Sequence, residues 1–108
     1  MANELVETLV EAATLMNVES IQDKSDSHMD RVLVTFSSGL EVSVIRGSGS
    51  YGGLSGLFEV AVYLKDNMSR VLFDDDIDDD VRGWLSVSDV NEYMRKAAAW
   101  VQPLTELV

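Results

Sequence analysis

Three glycines in the middle of the chain have the spacing of a phosphate-binding loop. Gly47, Gly49 and Gly52 satisfy the pattern G-x-G-x-x-G and follow a strand-like segment. In a dinucleotide site the glycines must open a helix whose N-terminus faces the pyrophosphate. Here another strand-like segment follows, and the lysine of a P-loop is missing. We therefore predict no nucleotide and no other cofactor.

The same glycine- and serine-rich segment, residues 47–56 (the glycine loop), is a candidate protein-binding surface. Tyr51 and Leu54 would be exposed apolar contacts within it. The alternative is a mobile or tightly turned connection in which the glycines supply positive φ angles. We predict the binding surface, with Tyr51 and Leu54 as partner contacts.

Six aspartates follow in the segment DDDIDDD, residues 74–80. They are Asp74, Asp75, Asp76, Asp78, Asp79 and Asp80. A core cannot hold so many carboxylates, so this aspartate run must be exposed. An EF-hand beginning at Asp74 would need glycine and glutamate where the chain has Asp79 and Leu85. We predict no metal site.

The aspartate run has two further interpretations. Closely spaced carboxylates can enter a basic groove made for nucleic acid, which is charge mimicry. Alternatively, the run is a solvated loop that keeps the protein soluble, as charge runs usually are. We predict that the six aspartates bind a protein with a basic surface, and the solubilising role stays open.

His28 is the only histidine, and Asp26 and Asp30 lie near it in a polar segment. Such a pair could exchange protons, but catalysis also needs a pocket and a nucleophile or stabilising group. The sequence indicates neither, and cysteine is absent. We predict an exposed loop histidine, no catalytic residue and no enzyme.

Length and charge limit the remaining possibilities. A chain of 108 residues is typical of a single domain, here residues 1–108. The balance of 19 acidic against 8 basic residues gives a net charge of -11, which repels nucleic acid and anionic membranes. The segment that begins the sequence carries Glu4, Glu7 and Glu11, unlike a signal peptide. We expect a cytoplasmic protein with no membrane and no direct nucleic-acid partner.

Two amphipathic helices are predicted to position these segments. The first follows an N-cap at Asn3 and ends at Asn17. The second begins at Ser86, where Asp89 completes a capping box, and Pro103 ends it near Gln102. Its predicted buried face consists of Val90, Tyr93, Met94, Ala97, Trp100 and Val101.

Alternating apolar residues predict the strands. The runs 31–36 and 40–45 form a hairpin around Ser37–Gly39, and the run 57–64 follows the glycine loop. Val18–Asp23, whose alternation is poor, and Ser69–Phe73 are weaker candidates. In the later segment VRGWL, Gly83 indicates a bend or bulge.

The predicted fold is therefore α+β, with an N-terminal helix, an antiparallel sheet of four or five strands and a C-terminal helix. Both helices should cover one sheet face. That face consists of Val32, Val34, Phe36, Val42, Val44, Phe58, Val60 and Val62. The opposite face, with Leu33, Ile45, Leu57 and Tyr63, could support a homodimer. Trp84 and Trp100 are expected to be core or interface anchors.

Two stretches carry a family resemblance. Residues 50–63 read SYGGLSGLFEVAVY and residues 79–90 read DDVRGWLSVSDV. Together they resemble small uncharacterised acidic proteins of tailed bacteriophages, in which a Tyr-Gly-Gly loop leads into GLxEVAV. In those proteins a DV-Gly-aromatic-Leu-Ser/Thr segment opens the last helix. The resemblance implies phage origin and action in the bacterial host cytoplasm or in virion assembly, and it implies no binding residue.

Charge, the exposed aspartate run and the resemblance together predict a function. The chain would be a non-enzymatic phage accessory protein that binds a basic host or phage protein and could inhibit it. The alternative is a structural or self-associating assembly protein.

Overall fold

A computed structural model describes residues 17–50, 52–66 and 82–101. The predicted helix before Asn17, the strand Ser69–Phe73, Tyr51 and the aspartate run lie outside the described residues. The described part is a five-stranded antiparallel sheet with one helix, so the α+β class and the C-terminal helix are confirmed.

The described strands form a meander, in which each strand pairs with the next described strand. Its strands are β1 (Val18–Asp23), β2 (Met29–Phe36), β3 (Leu40–Gly47), β4 (Phe58–Leu64) and β5 (Arg82–Leu85). Short turns join the first three strands, and the glycine loop joins β3 to β4. The alternating β-branched residues of β2, β3 and β4 form such strands because they pack well on a pleated surface.

The register brings the predicted core residues onto one face. Val34 lies opposite Val42, which lies opposite Val62, and the next row places Val44 between Val32 and Val60. All eight residues predicted for the covered face are buried, together with Leu40 and Leu85. Strict alternation of apolar side chains therefore identified the core correctly.

A bulge in strand β1 explains why apolar and polar residues alternate poorly along it. A register shift between Val18 and Ser20 inserts Glu19 as an extra residue in the pairing with β2. Because of this bulge, Val18 and Ile21 both pack against the core although they are three positions apart. The weaker strand prediction for Val18–Asp23 is confirmed.

Helix α1 (Val87–Ala99) covers the same sheet face. Ser86 and Asp89 form the predicted capping box, and Val90, Met94 and Ala97 join the core. The helix ends three residues before the predicted Gln102. At its end the Ser38 hydroxyl donates to the Ala97 carbonyl at 2.7 Å, and Trp100 adopts an extended conformation.

This early end corrects one predicted core residue. Once Trp100 is extended, the residue after it no longer follows the helical period. Trp100 packs against the core, whereas Val101 is 81% exposed rather than buried.

Candidate functional site

The first half of the glycine loop is held by one serine. The Ser50 hydroxyl accepts a hydrogen bond from the Gly47 N–H at 3.0 Å and donates to the Gly47 carbonyl at 2.9 Å. The Ser50 N–H donates to the same carbonyl at 3.1 Å. A short serine side chain can make such local bonds to the backbone, which is why serine favours turns.

The second half is a single 3-10 turn, Gly53–Ser55, between two left-handed glycines. Gly52 has φ 87° and Gly56 has φ 79°, values that only glycine adopts without strain. The Gly52 carbonyl accepts from the N–H groups of Ser55 and Leu57, both at 3.0 Å. The loop is tightly turned, and it leads into strand β4 rather than into the long helix that a dinucleotide site requires.

The loop is packed directly against the backbone of β5. A β-carbon added to Gly52 would lie 2.9 Å from the Trp84 Cα, closer than real Cβ atoms approach a backbone. Gly52 is therefore needed both for its φ angle and for this close contact. The contact fixes the glycine loop and β5 relative to each other.

Trp84 has an unusual conformation. Its φ is 61°, and among the described residues it is the one non-glycine residue with a positive φ. Its side chain is 63% exposed, so Trp84 is not a core residue. Bulky residues avoid this region of φ because Cβ crowds the backbone.

Leu54 stands at the tip of the 3-10 turn and is 86% exposed. Among the predicted contact residues, Leu54 is the one within the described part of the chain. Tyr51 and the six aspartates lie outside it, so their positions relative to Leu54 are not described. Trp84 lies beside the loop, in contact with Gly52, and was not among the predicted contact residues.

An ion pair between Arg46 and Asp30 lies at the end of the sheet that carries the glycine loop. The Arg46 guanidinium donates to the Asp30 carboxylate at 2.7 Å and lies 4.6 Å from the centre of the Phe58 ring. This arrangement ties β2, β3 and β4 together at the strand ends that carry the loop. It also engages the Asp30 carboxylate away from His28.

The turn around His28 is structural as well. The Asp26 carboxylate accepts from the N–H groups of His28 and Met29 at 2.8 and 2.9 Å. These bonds hold the pKa of Asp26 below its usual value, because they favour the charged carboxylate. His28 itself is exposed. Backbone N–H groups therefore engage the Asp26 carboxylate, and the Arg46 guanidinium engages the Asp30 carboxylate.

Comparison of the chain with protein-family models, curated proteins and solved structures found no match. Within the three described ranges, no helix is long and apolar enough to span a membrane. The chemistry of the candidate site therefore has to be argued from its own residues.

Proposed function

We propose that the chain is a non-catalytic protein-binding domain of phage type that engages a protein with a basic surface. The observation that carries this proposal is the charge surplus. With 19 acidic and 8 basic residues, the chain carries a net charge of -11.

Three of the described cations form ion pairs with carboxylates. Arg46 pairs with Asp30, Lys65 with Glu19 and Arg95 with Glu92, with N–O distances of 2.7 to 2.8 Å, and all three pairs are at least partly exposed. Glu19 raises the pKa of Lys65, and Arg95 lowers the pKa of Glu92, as expected for opposite charges in contact. Unneutralised surface charge attracts oppositely charged partners and accelerates their association.

The aspartate run is the part of the sequence where this charge is most concentrated. Six carboxylates within residues 74–80 offer a density of negative charge that a groove for nucleic acid is built to receive. The partner in this proposal is a nucleic-acid-binding protein of the bacterial host cytoplasm or of the phage, and occupation of its groove would inhibit it.

The test is a binding measurement with the partner captured from nuclease-treated bacterial lysate. The variant replaces Asp74, Asp75, Asp76, Asp78, Asp79 and Asp80 with asparagine. We expect affinity to fall at least about tenfold, since exposed ion pairs each contribute roughly 0.2–1 kcal/mol. We also expect a shallower dependence of affinity on salt, and release of the partner by competing DNA.

A control of equal charge separates the aspartate run from net charge. It replaces six carboxylates elsewhere in the chain with their amides: Glu4, Glu7, Glu11, Asp23, Asp66 and Glu106. The proposal predicts a smaller loss for this control than for the aspartate-run variant. Equal losses would show that only net charge matters, and unchanged affinity in both would refute a basic partner.

A second candidate is a self-associating assembly protein, which the opposite sheet face favours. Leu33, Ile45, Leu57 and Tyr63 are only half-buried there. Pairing of two such faces would bury these side chains and form a homodimer. Light scattering across micromolar concentrations would then give twice the monomer mass, and the protein would be present in purified virions. A monomer mass at every concentration would reject the dimer.

A further inference from the structure

The pairing of β5 with β4 does not follow a regular ladder. Val60 lies opposite Arg82, and Phe58 lies opposite Leu85, so two residues of β5 between these pairs stand against one residue of β4. In a regular ladder Trp84 would lie opposite Phe58 and share its buried face. The bulge gives that place to Leu85, which is 8% exposed, and Trp84 is 63% exposed instead.

This outward position has a conformational cost. The positive φ of Trp84 costs an L-residue about 1–2 kcal/mol relative to an ordinary strand conformation. The conformation persists because Gly52 packs against the Trp84 backbone and because Leu85 is held in the core. Residues kept in a sparsely populated conformation by their surroundings are concentrated at functional sites.

From this geometry we infer that Trp84 and Leu54 form one apolar docking patch. Trp84 contacts Gly52, and Leu54 follows Gly52 by two residues, so the Cα atoms of Leu54 and Trp84 lie within about 12 Å of each other. Both side chains are presented by a tightly hydrogen-bonded loop and a sheet strand. Little backbone conformational entropy is therefore lost when a partner binds, and tryptophan is enriched among residues that dominate binding energy.

The occupant is an apolar segment of another protein, flanked by lysine or arginine. This inference rests on the proposed function, since a net charge of -11 selects for basic partners. The exposed indole adds a local reason, because an aromatic face attracts a cation within about 6 Å of the ring. The expected partner segment therefore has an apolar side chain that packs between Leu54 and Trp84. Lysine or arginine residues flank that side chain.

The experiment selects short random peptides, displayed as a library, on the immobilised full-length chain. We expect enriched peptides to carry an aromatic or aliphatic anchor flanked by lysine or arginine. The double variant Leu54→Ser/Trp84→Ser should bind them at least about tenfold more weakly, as loss of an interface anchor does. Leu54→Ser alone should show part of this loss, and it tests the patch even if the double variant fails to fold.

Val101→Ser is the matched control, because Val101 is an exposed apolar side chain that belongs to a different part of the molecule. It should leave binding unchanged. Enrichment of no peptide, enrichment of peptides without basic residues, or equal loss in the control would each overturn the patch. A doubled mass in light scattering that Trp84→Ser abolishes would also overturn it, since the occupant would then be a second copy of the chain.

The partner captured from lysate distinguishes this inference from the function on which it rests. If the aspartate-run variant loses that partner and the Leu54→Ser/Trp84→Ser variant keeps it, the function stands and the patch fails. If only the patch variant loses the partner, the patch stands and the charge-directed part of the function fails. Loss in both variants supports both.

Discussion

At one end of the sheet, polar contacts tie the strands to the helix. This hairpin end comprises the turn Ser37–Gly39 and the residues beside it, where Ser38 bonds the Ala97 carbonyl and Lys65 bonds Glu19. At the opposite end, which we call the glycine-loop end, the glycine loop and the β5 bulge hold Leu54 and Trp84 in solvent. The hairpin end closes the fold, whereas the glycine-loop end presents apolar surface that the fold does not need.

The same contrast holds for the glycines. Gly39 at the hairpin end has φ 102°, and a β-carbon there would meet nothing within 4 Å. Gly52 at the glycine-loop end has φ 87°, and its β-carbon would meet the Trp84 backbone. A positive φ suffices to explain the first glycine. The second is also required by a tertiary contact that sets the position of a solvent-exposed tryptophan.

Breaking that contact should have a large effect on stability. Gly52→Ala combines a left-handed alanine with an overlap against backbone, and we expect it to destabilise folding by about 3 kcal/mol. Gly56→Ala is the matched control, because Gly56 has φ 79° in the same loop with nothing within 4 Å of its β-carbon. The control should cost only about 1–2 kcal/mol. Equal losses in urea denaturation would show that the contact with Trp84 does not constrain the loop.

Leu85 and Trp84 are adjacent in the chain, one in the core and the other exposed, so substitutions of the two can be compared directly. Leu85→Ala should cost about 2–4 kcal/mol, because Leu85 is 8% exposed and its loss leaves a cavity. Trp84→Ser should change the free energy of unfolding by less than about 1 kcal/mol, as surface substitutions usually do. Denaturant titration of both variants checks this order. A Trp84→Ser variant as unstable as Leu85→Ala would mean that Trp84 is retained for folding rather than for binding.

The sequence predicted the strands and their core residues correctly where apolar and polar side chains alternate regularly. Strands β2, β3 and β4 and their eight core residues were predicted, because each has one apolar face in strict period two. The capping box at Ser86 and Asp89 was equally visible, since its chemistry is local. The end of α1 was not, because a tertiary hydrogen bond from Ser38 terminates the helix before Pro103 can.

The two β-bulges show where an alternating sequence pattern fails to predict which side chains face the core. An extra residue at Glu19 disrupts the alternation of β1, and the Gly83–Trp84 segment does the same in β5. Gly83 indicated a bulge, but the alternation of residues within VRGWL did not decide whether Trp84 or Leu85 faces the core. That choice depends on the contact with Gly52, more than thirty residues earlier in the chain. Leu54 was predicted as a contact residue from the composition of the glycine loop. The position of Trp84 beside that loop became apparent only from the fold.

The most direct test uses the two tryptophans, one associated with each end of the sheet. Their indole N–H signals can be followed by nuclear magnetic resonance while an enriched basic peptide is added to the isotope-labelled protein, with Trp84→Phe providing the assignment. Binding at the glycine-loop end predicts that the Trp84 signal shifts to saturation and the Trp100 signal stays in place. A shift of Trp100 alone, or of neither signal at saturating peptide, would contradict the account.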